Sequence, residues 1–142
     1  MTRIVRTSRA TAAALLLAIV AVLPGCDDDE LDPSMITGVD WTLQSLQRTD
    51  FAVLTVEPGR YTLRLEPDGA LRARSDCNIC VGRYSLAGSS ITVSSMACTR
   101  AFCGEESLDR EYQRALLSAR TLDGDDERLV VLGAEGTLRY LR

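Results

Sequence analysis

Four of the five cysteines of the chain fall within one stretch, SDCNICVGRYSLAGSSITVSSMACTRAFC, which runs from Ser75 to Cys103. They form two clusters, Cys77 with Cys80 and Cys98 with Cys103. Cysteines at such spacings form a zinc site, a redox centre or two disulfide bonds, and each choice demands a different fold around them. These residues therefore constrain the chain more than any other feature of its sequence.

The N-terminal segment predicts the compartment in which these cysteines fold. Its first nine residues, MTRIVRTSR, carry three arginines and no acidic residue. An apolar run from Ala10 to Leu23 follows. This run is shorter than the stretch of about 20 residues that a membrane-spanning helix needs. A basic start followed by a short apolar run is typical of a secretory signal, so the sequence predicts an exported protein.

The apolar run ends in LPGC, and the small residue before Cys26 resembles the bacterial lipobox. This resemblance implies that residues 1–25 are a lipoprotein signal peptide, removed by cleavage before Cys26. Diacylglycerol on the sulfur and an acyl chain such as palmitate on the new amine would anchor the protein, since each buried methylene adds about 0.8 kcal/mol. The alternative is an ordinary signal peptide in which Cys26 is incidental. We expect a lipid-anchored protein of the cell membrane or outer membrane that faces the periplasm or the exterior.

The residues that follow Cys26 are strongly acidic. The segment DDDELDPS begins with four consecutive acids, which repel one another and cannot form a core. We expect residues 26–36 to be a solvated tether between the lipid and the domain. Cleavage would remove three of the sixteen arginines and none of the twenty acids, which leaves a mature net charge of −7. No nucleic acid partner is expected for a body of this charge.

Two residue types are missing, and this excludes several classes of enzyme. The chain has no histidine, and all sixteen of its basic residues are arginine. Without histidine it lacks the usual general base, the usual partner of a serine or cysteine nucleophile and the commonest metal ligand. Without lysine it lacks Schiff-base chemistry and the lysine of phosphate-binding loops. We therefore predict a protein that is not an enzyme and has no metal or cofactor.

Hydrophobic periodicity predicts a series of β-hairpins. In YTLRLEPDGALRAR, Tyr61, Leu63 and Leu65 alternate with polar residues, and the turn sequence EPDG separates them from a second alternating run. Further strands are predicted at Trp41–Gln47, Arg83–Leu86, Ile91–Ser94, Leu129–Leu132 and Thr137–Leu141.

The period changes once, in SLDREYQRALLSAR. There Leu108, Tyr112, Ala115, Leu116 and Ala119 recur at helical spacing, which predicts one amphipathic helix. Strands, a helix and then strands, joined by short loops, indicate an α+β fold. We expect a mainly antiparallel β-sheet, in the form of a barrel-like meander of hairpins, with the helix packed on it.

The two cysteine clusters fit a metal or redox site less well than they fit disulfides. Four cysteines make a full tetrahedral zinc set, but the CxxxxC spacing of Cys98 and Cys103 lacks the tight turn of a zinc knuckle. A redox pair at Cys77-x-x-Cys80 would need a helix N-terminus to lower its thiol pKa, and CNIC lies between two predicted strands. An exported protein also enters an oxidising space, where paired thiols become disulfides.

Four cysteines allow three pairings. Joining Cys77 to Cys80 would close a strained two-residue loop. The nested pairing, Cys77–Cys103 with Cys80–Cys98, and the crossed pairing, Cys77–Cys98 with Cys80–Cys103, both join DCNIC to ACTRAFC. The nested pairing fits antiparallel geometry better, because both bridges then cross the hairpin at matched depth. A bridge over a loop of this size contributes about 3–4 kcal/mol on the chain-entropy model.

The order of several short motifs resembles the META domain, or HslJ-like, family. That family has an opening Trp-x-Leu strand, a Cys-Asn segment followed by Gly-x-Tyr, a hairpin, a Thr-x-x-x-Cys segment, a helix and closing strands. The matching residues here are Trp41, Leu43, Cys77, Asn78, Gly82, Tyr84, Thr99 and Cys103. We place the domain at residues 37–142. One departure is Asp76, which stands where the family often has glycine.

The resemblance implies structural roles for these residues. It supports Cys77–Cys103 as the pair of the family, and hence the nested pairing, with Cys80–Cys98 as an added pair. It implies that Asn78 hydrogen-bonds the backbone of its own turn and that Gly82 permits a close approach of two strands. Members of the family are associated with stress, antibiotic tolerance and, in some parasites, virulence, without an established enzymatic activity or cofactor.

The sequence as a whole therefore predicts a non-catalytic, membrane-anchored lipoprotein with one disulfide-stapled domain. We expect it to act as a binding module related to envelope stress or antibiotic tolerance. The alternative is a thiol–disulfide redox protein that uses the Cys77-x-x-Cys80 pair. No sequence feature identifies a protein or small-molecule partner.

Overall fold

A computed structural model describes residues 31–142 of the chain. The predicted signal peptide, residues 1–25, and the predicted lipidation site Cys26 lie outside the described residues, as does the tether before Leu31.

The described residues form nine strands and two helices. In chain order the elements are α1 (Pro33–Ile36), β1 (Asp40–Gln47), β2 (Val53–Thr55), β3 (Tyr61–Leu65), β4 (Ala70–Ser75), β5 (Asn78–Ala87), β6 (Ser90–Cys98), α2 (Asp109–Leu117), β7 (Ala119–Gly124), β8 (Arg128–Gly133) and β9 (Gly136–Leu141). Within this part of the chain, no helix is long and apolar enough to cross a membrane.

Eight of the strands close into an antiparallel barrel. The order β1-β3-β4-β5-β6-β7-β8-β9 returns to its start because β1 also pairs with β9, while the short strand β2 extends one end of β1. The predicted antiparallel, barrel-like sheet is therefore confirmed. Short hairpin turns between alternating strands generate this order, since strands that are adjacent in sequence pair most easily when the loop is short.

The prediction of a single amphipathic helix was wrong in its count, because the described chain has two short helices. Helix α1 spans only four residues, too few to show a helical period, and it begins where the Asp32 carboxylate accepts a hydrogen bond from the Ser34 N–H. It also falls inside the segment 26–36 that the sequence predicted to be a solvated tether. Leu31 and Ile36 are both buried, so the packed structure begins before residue 37.

The two helices cover opposite ends of the barrel. Helix α1 lies beside the β3–β4 turn, where Gly38 N–H bonds to Leu65 O at 2.8 Å. Helix α2 lies at the other end, where its Tyr112 hydroxyl donates to Thr62 O at 2.7 Å. Between the helices, the inward-facing residues of the strands form one apolar core that includes Trp41. The two helices exclude water from the ends of this core.

Candidate functional site

Two disulfides lie at the end of the barrel that α2 covers. Cys77 bonds to Cys103 with their Cα atoms 5.5 Å apart, and Cys80 bonds to Cys98 with their Cα atoms 4.1 Å apart. This is the nested pairing. Cys80 and Cys98 are also register partners in the β5–β6 ladder, so this bridge joins two strands that already face each other. The other bridge joins the β4–β5 turn to the loop that leads to α2.

Asn78 ties the same loop to the barrel, although not in the predicted manner. Its side-chain oxygen accepts hydrogen bonds from the Thr99 hydroxyl and from the Ala101 N–H, both at 2.8 Å. Its side-chain N–H₂ donates to Ala101 O at 3.1 Å and towards the sulfur of Cys103 at 3.3 Å. The expectation that Asn78 bonds its own turn is therefore wrong. The fully buried amide has partners for all its donors and acceptors, and they lie in the next loop along the chain.

Thr99 completes this connection. Its hydroxyl oxygen accepts a hydrogen bond from Ile79 N–H at 3.0 Å while donating to Asn78, and its backbone N–H donates to Ile79 O at 3.0 Å. The family motif residues Asn78 and Thr99 are thus one hydrogen-bonded unit. Together with the disulfide at Cys103, this unit fixes the path of the loop that carries the chain from β6 to α2.

The backbone conformation and the contacts of Asp76 explain how an aspartate replaces the glycine that the family often has at this position. Its φ angle is 58°, in the left-handed region that favours glycine and that aspartate tolerates better than most residues. The carboxylate is 7% exposed and accepts hydrogen bonds from the Arg60 guanidinium, at 3.0 Å from Nε, and from the Tyr61 hydroxyl, at 3.4 Å. Burial alone would raise the pKa of Asp76, but hydrogen bonds from Arg60, Ser107 and Tyr61 outweigh it and hold the pKa below its ordinary value.

The other motif residues predicted from the sequence lie within the barrel itself. At Gly82, β5 and β6 approach so closely that a Cβ atom there would collide with Ser95 O. The Tyr84 hydroxyl donates to Glu66 O at 2.6 Å, which joins β5 to the β3–β4 turn. Trp41 is fully buried and its indole N–H donates to Ile36 O at 3.0 Å. These contacts hold strands and helix α1 together.

The barrel wall is open along one line, between β6 and β7. These strands share a single register pair, Ser90 with Thr121, whereas β5 and β6 share eight. Beyond Ser90, β6 diverges from β7, and α2 lies beside the gap. The result is a groove of about 850 Å³ between α2 and the last residues of β6, Met96–Cys98. It is lined by Met96, Ala97, Cys98, Thr99, Arg100, Ala101, Phe102, Asp109, Arg110, Gln113 and Leu117.

The charge of the groove is opposite to that of the molecule as a whole. Arg100 and Arg110 line it, both are exposed, and among residues 31–142 neither forms an ion pair. The one carboxylate of the lining, Asp109, accepts hydrogen bonds at 2.6 Å from both the Ser75 hydroxyl and the Gln113 amide. Sequence reasoning missed these arginines because they are ten positions apart and belong to no motif.

The cysteines and tyrosines of the described residues are engaged in structural contacts. All four cysteines between Ser75 and Cys103 are in disulfides, and residues 31–142 contain no group of three or more side chains placed to hold a metal ion. The buried hydroxyl groups of Tyr112 and Tyr140 bond to each other at 3.2 Å, and burial raises the pKa of both. They support α2 and do not line the groove.

The same arrangement of motifs recurs in known proteins. The profile of the META domain matches residues 34–142. The chain belongs to the META domain family. The matched range includes helix α1 from its second residue onward and both disulfides, so the META domain accounts for all of the described structure except residues 31–33. None of the curated proteins matches the chain significantly.

Solved structures share the fold of this META domain at low sequence identity. An NMR structure of a protein from Burkholderia xenovorans has a TM-score of 0.66 at 19% identity and covers 98% of both chains. A second NMR structure has a TM-score of 0.60 at 21% identity, covering 78% of this chain and 94% of the other. The crystal structure of a DUF4847 family protein from Bacteroides vulgatus has a TM-score of 0.54 at 12% identity, covering 76% and 94%. These similarities establish the fold.

Proposed function

We propose that this META domain protein is a lipid-anchored, extracytoplasmic lipoprotein whose domain is a non-catalytic binding module of the cell envelope. The observation that carries this proposal is the combination of two disulfides with an N-terminal segment that ends in LPGC. Disulfides persist in oxidising spaces outside the cytoplasm, and the N-terminal segment has the composition that leads a chain there. Cys26, the fifth cysteine, is then available for lipid.

A binding role fits the side chains better than a reaction does. With no histidine or lysine in the chain, the remaining acid–base groups are carboxylates, tyrosines and arginines. Among the described residues, the most buried carboxylate is that of Asp76, and it accepts a hydrogen bond from Arg60. The groove beside β6 has exposed arginine and apolar side chains, which suit recognition of a partner. A role in envelope stress or antibiotic tolerance is proposed from the family resemblance.

The redox alternative, in which Cys77 and Cys80 exchange as a pair, is less well supported by the geometry. The two residues belong to different disulfides, and Cys80 is fully buried. A thioredoxin-like exchange requires an exposed cysteine at a helix N-terminus. CNIC instead forms the turn and the first residues of β5, and the nearest helix in the described chain begins at Asp109.

The lipid anchor is tested by replacing its cysteine in the full precursor. We expect Cys26→Ser to abolish lipid attachment, seen as loss of the acyl mass on the mature N-terminus, and to abolish recovery of the processed protein in the membrane fraction. Ser34→Ala, which lies in α1 and leaves the lipobox intact, is the control. A Cys26→Ser protein that is still processed and still membrane-bound would disprove the anchor.

The cellular role is tested by deleting the gene from its source organism. We expect the deletion to lower survival under envelope stress and antibiotic challenge, and the wild-type gene to restore it. Complementation with the Cys26→Ser gene separates the anchor from the domain, because a role at the membrane requires both. Survival of the deletion strain equal to that of the wild type under every challenge would contradict a stress-related role.

A further inference from the structure

We propose that the groove between β6 and α2 binds an extended, acidic peptide segment of a partner protein, which adds a strand to the free edge of β6. This inference gives the binding role proposed above a site and a class of ligand, and it rests on that role but not on the lipid anchor. The argument comes from the edge of the strand, from the side chains beside it and from their charge.

The first observation is an unpaired strand edge. Only Ser90 of β6 has a register partner in β7, so the edge of β6 that faces the groove has none from Ile91 to Cys98. Within residues 31–142, no backbone hydrogen bond joins this edge to α2. An edge with free N–H and C=O groups is a template for an additional strand, and proteins that do not use such an edge usually protect it with charge, proline or a cover.

The second observation is the apolar part of the groove lining. The apolar side chains of Met96, Phe102 and Leu117 line it, and Phe102 and Leu117 are 84% and 44% exposed. Small residues, Ala97 and Ala101, leave room beside the edge. Apolar surface next to a free strand edge suits a peptide that places alternate side chains into the groove, because successive side chains of a strand point to opposite faces.

The third observation is charge. Arg100 and Arg110 lie in the groove without ion-pair partners among residues 31–142, in a chain with a formal net charge of −4. A cationic groove on an acidic body attracts acidic segments there and repels them elsewhere, which increases both association rate and specificity. The occupant is therefore an acidic peptide, and basic or neutral segments of the same length bind less well.

The proposal is tested with the full processed protein in detergent micelles. The probe is a fluorescent peptide in which acidic residues alternate with valine, and binding is followed by fluorescence anisotropy. The first control peptide has the same sequence with N-methyl groups at alternate residues, which block strand addition but keep the charge. The second control replaces the acids by lysine. We expect both control peptides to bind about tenfold more weakly or worse, and added salt to weaken the acidic peptide.

The site is located with variants of the protein. We expect the double variant Arg100→Glu with Arg110→Glu to weaken the acidic peptide by about tenfold or more, because it reverses the charge of the groove. Arg114→Glu, on the same helix but outside the groove, is the matched control and should have a much smaller effect. Amide hydrogen exchange should show added protection of Met96 and Cys98 when the acidic peptide is bound, because N–H groups alternate between the two edges of β6 and those of these two residues face the groove.

Three results would overturn the proposal. They are equal affinity for the N-methylated and unmodified peptides, no change in affinity with the double arginine variant, and no added protection of the Met96 and Cys98 amides at saturating acidic peptide. Each is measured independently of lipid attachment at Cys26. Failure of the peptide site is therefore distinguishable from failure of the anchor, which is read from the acyl mass of the mature N-terminus.

Discussion

The barrel has two junctions of very different construction. At the β1–β9 junction, five residue pairs join the first and last strands of the barrel, and buried leucines such as Leu46 and Leu138 face each other there. At the β6–β7 junction, one residue pair joins the strands, and the groove separates the rest of β6 from α2 and from the loop that leads to it. The first junction is closed by regular sheet pairing, whereas the second is left open beside a helix.

The disulfides occur at the junction that lacks sheet pairing. Cys77–Cys103 and the hydrogen bonds of Asn78 hold the loop that spans the gap, while Cys80–Cys98 fastens the strand that borders it. A regular ladder distributes its stabilisation over many backbone hydrogen bonds. The β6–β7 junction instead depends on a few covalent and side-chain contacts, and in exchange it keeps a strand edge and a groove accessible.

The largest effect on stability is expected when an apolar side chain is truncated at one junction and compared with a truncation at the other. Leu138→Ala removes a fully buried side chain at the closed junction and should lower the free energy of unfolding by about 2–5 kcal/mol. Met96→Ala, at the open junction, removes a partly buried side chain and should cost less than half of that loss. Chemical denaturation followed by circular dichroism measures both. Equal losses would show that the two junctions are packed alike.

The next prediction distinguishes the structural roles of the two disulfides. Replacing Cys77 and Cys103 by alanine, or Cys80 and Cys98 by alanine, should each cost about 2–4 kcal/mol, because each bridge restricts the unfolded chain. The local responses should differ. Loss of Cys77–Cys103 should increase amide exchange in residues 99–108 and in α2, whereas loss of Cys80–Cys98 should increase it in β5 and β6. The same exchange pattern in both double variants would contradict a separate role for each bridge.

A smaller effect is expected for the side-chain amide of Asn78, which bonds to the loop between β6 and α2. Asn78→Ala leaves Ala101 N–H and the Thr99 hydroxyl without their acceptor and should lower the free energy of unfolding by about 1–3 kcal/mol. Thr99→Val removes only the hydroxyl and is the milder comparison. Thermal unfolding measures both variants. If Thr99→Val were as damaging as Asn78→Ala, the side-chain amide would not be the centre of this network.

The smallest expected effect is a dependence on pH. The folded pKa of Asp76 is below its ordinary value, which is about 3.9 in an unfolded chain. The ionised carboxylate therefore stabilises the fold fully above that value, and this contribution is lost as the pH falls through the folded pKa. Stability measured from pH 6 downward should fall less steeply in Asp76→Asn than in the wild type.

Other acids provide the baseline for that experiment. Hydrogen bonds from Arg128 and from the backbone of Glu127 lower the pKa of Asp125 to about 2, and Asp125 is unchanged in both proteins. Its contribution therefore cancels in the comparison. Identical acid profiles for the wild type and Asp76→Asn would show that the Asp76 carboxylate does not stabilise the fold through its charge.

Strands with strict alternation were predictable from the sequence, and irregular strands were not. Tyr61–Leu65 forms β3 as predicted, because its apolar residues alternate without interruption. Strand β7 was missed because Ala119 and Leu122, its buried residues, are three positions apart, across a register shift between Ala119 and Thr121. Ala119 also continues the helical spacing of the apolar residues before it, and the sequence analysis therefore assigned it to the helix, which ends at Leu117. The short strand β2 has too few residues to show any period.

The candidate site was predictable in part. The motif residues of the META domain could be identified in order, because their residue types are distinctive. The partners of Asn78 could not, since they lie 21 and 23 positions along the chain. The groove could not be predicted from the sequence, for a different reason. It exists because β6 and β7 diverge, and no local pattern in Arg100 or Arg110 reports that divergence.

The placement of Trp41 decides which optical signal can follow this protein. It is the single tryptophan of the chain, it is fully buried, and its indole N–H bonds to Ile36 O in α1. Its emission therefore responds to loss of α1 from its end of the barrel, and not to events beside α2. Tryptophan emission would stay constant while a peptide enters the groove, and it would change when α1 leaves its end of the barrel or when the barrel itself unfolds.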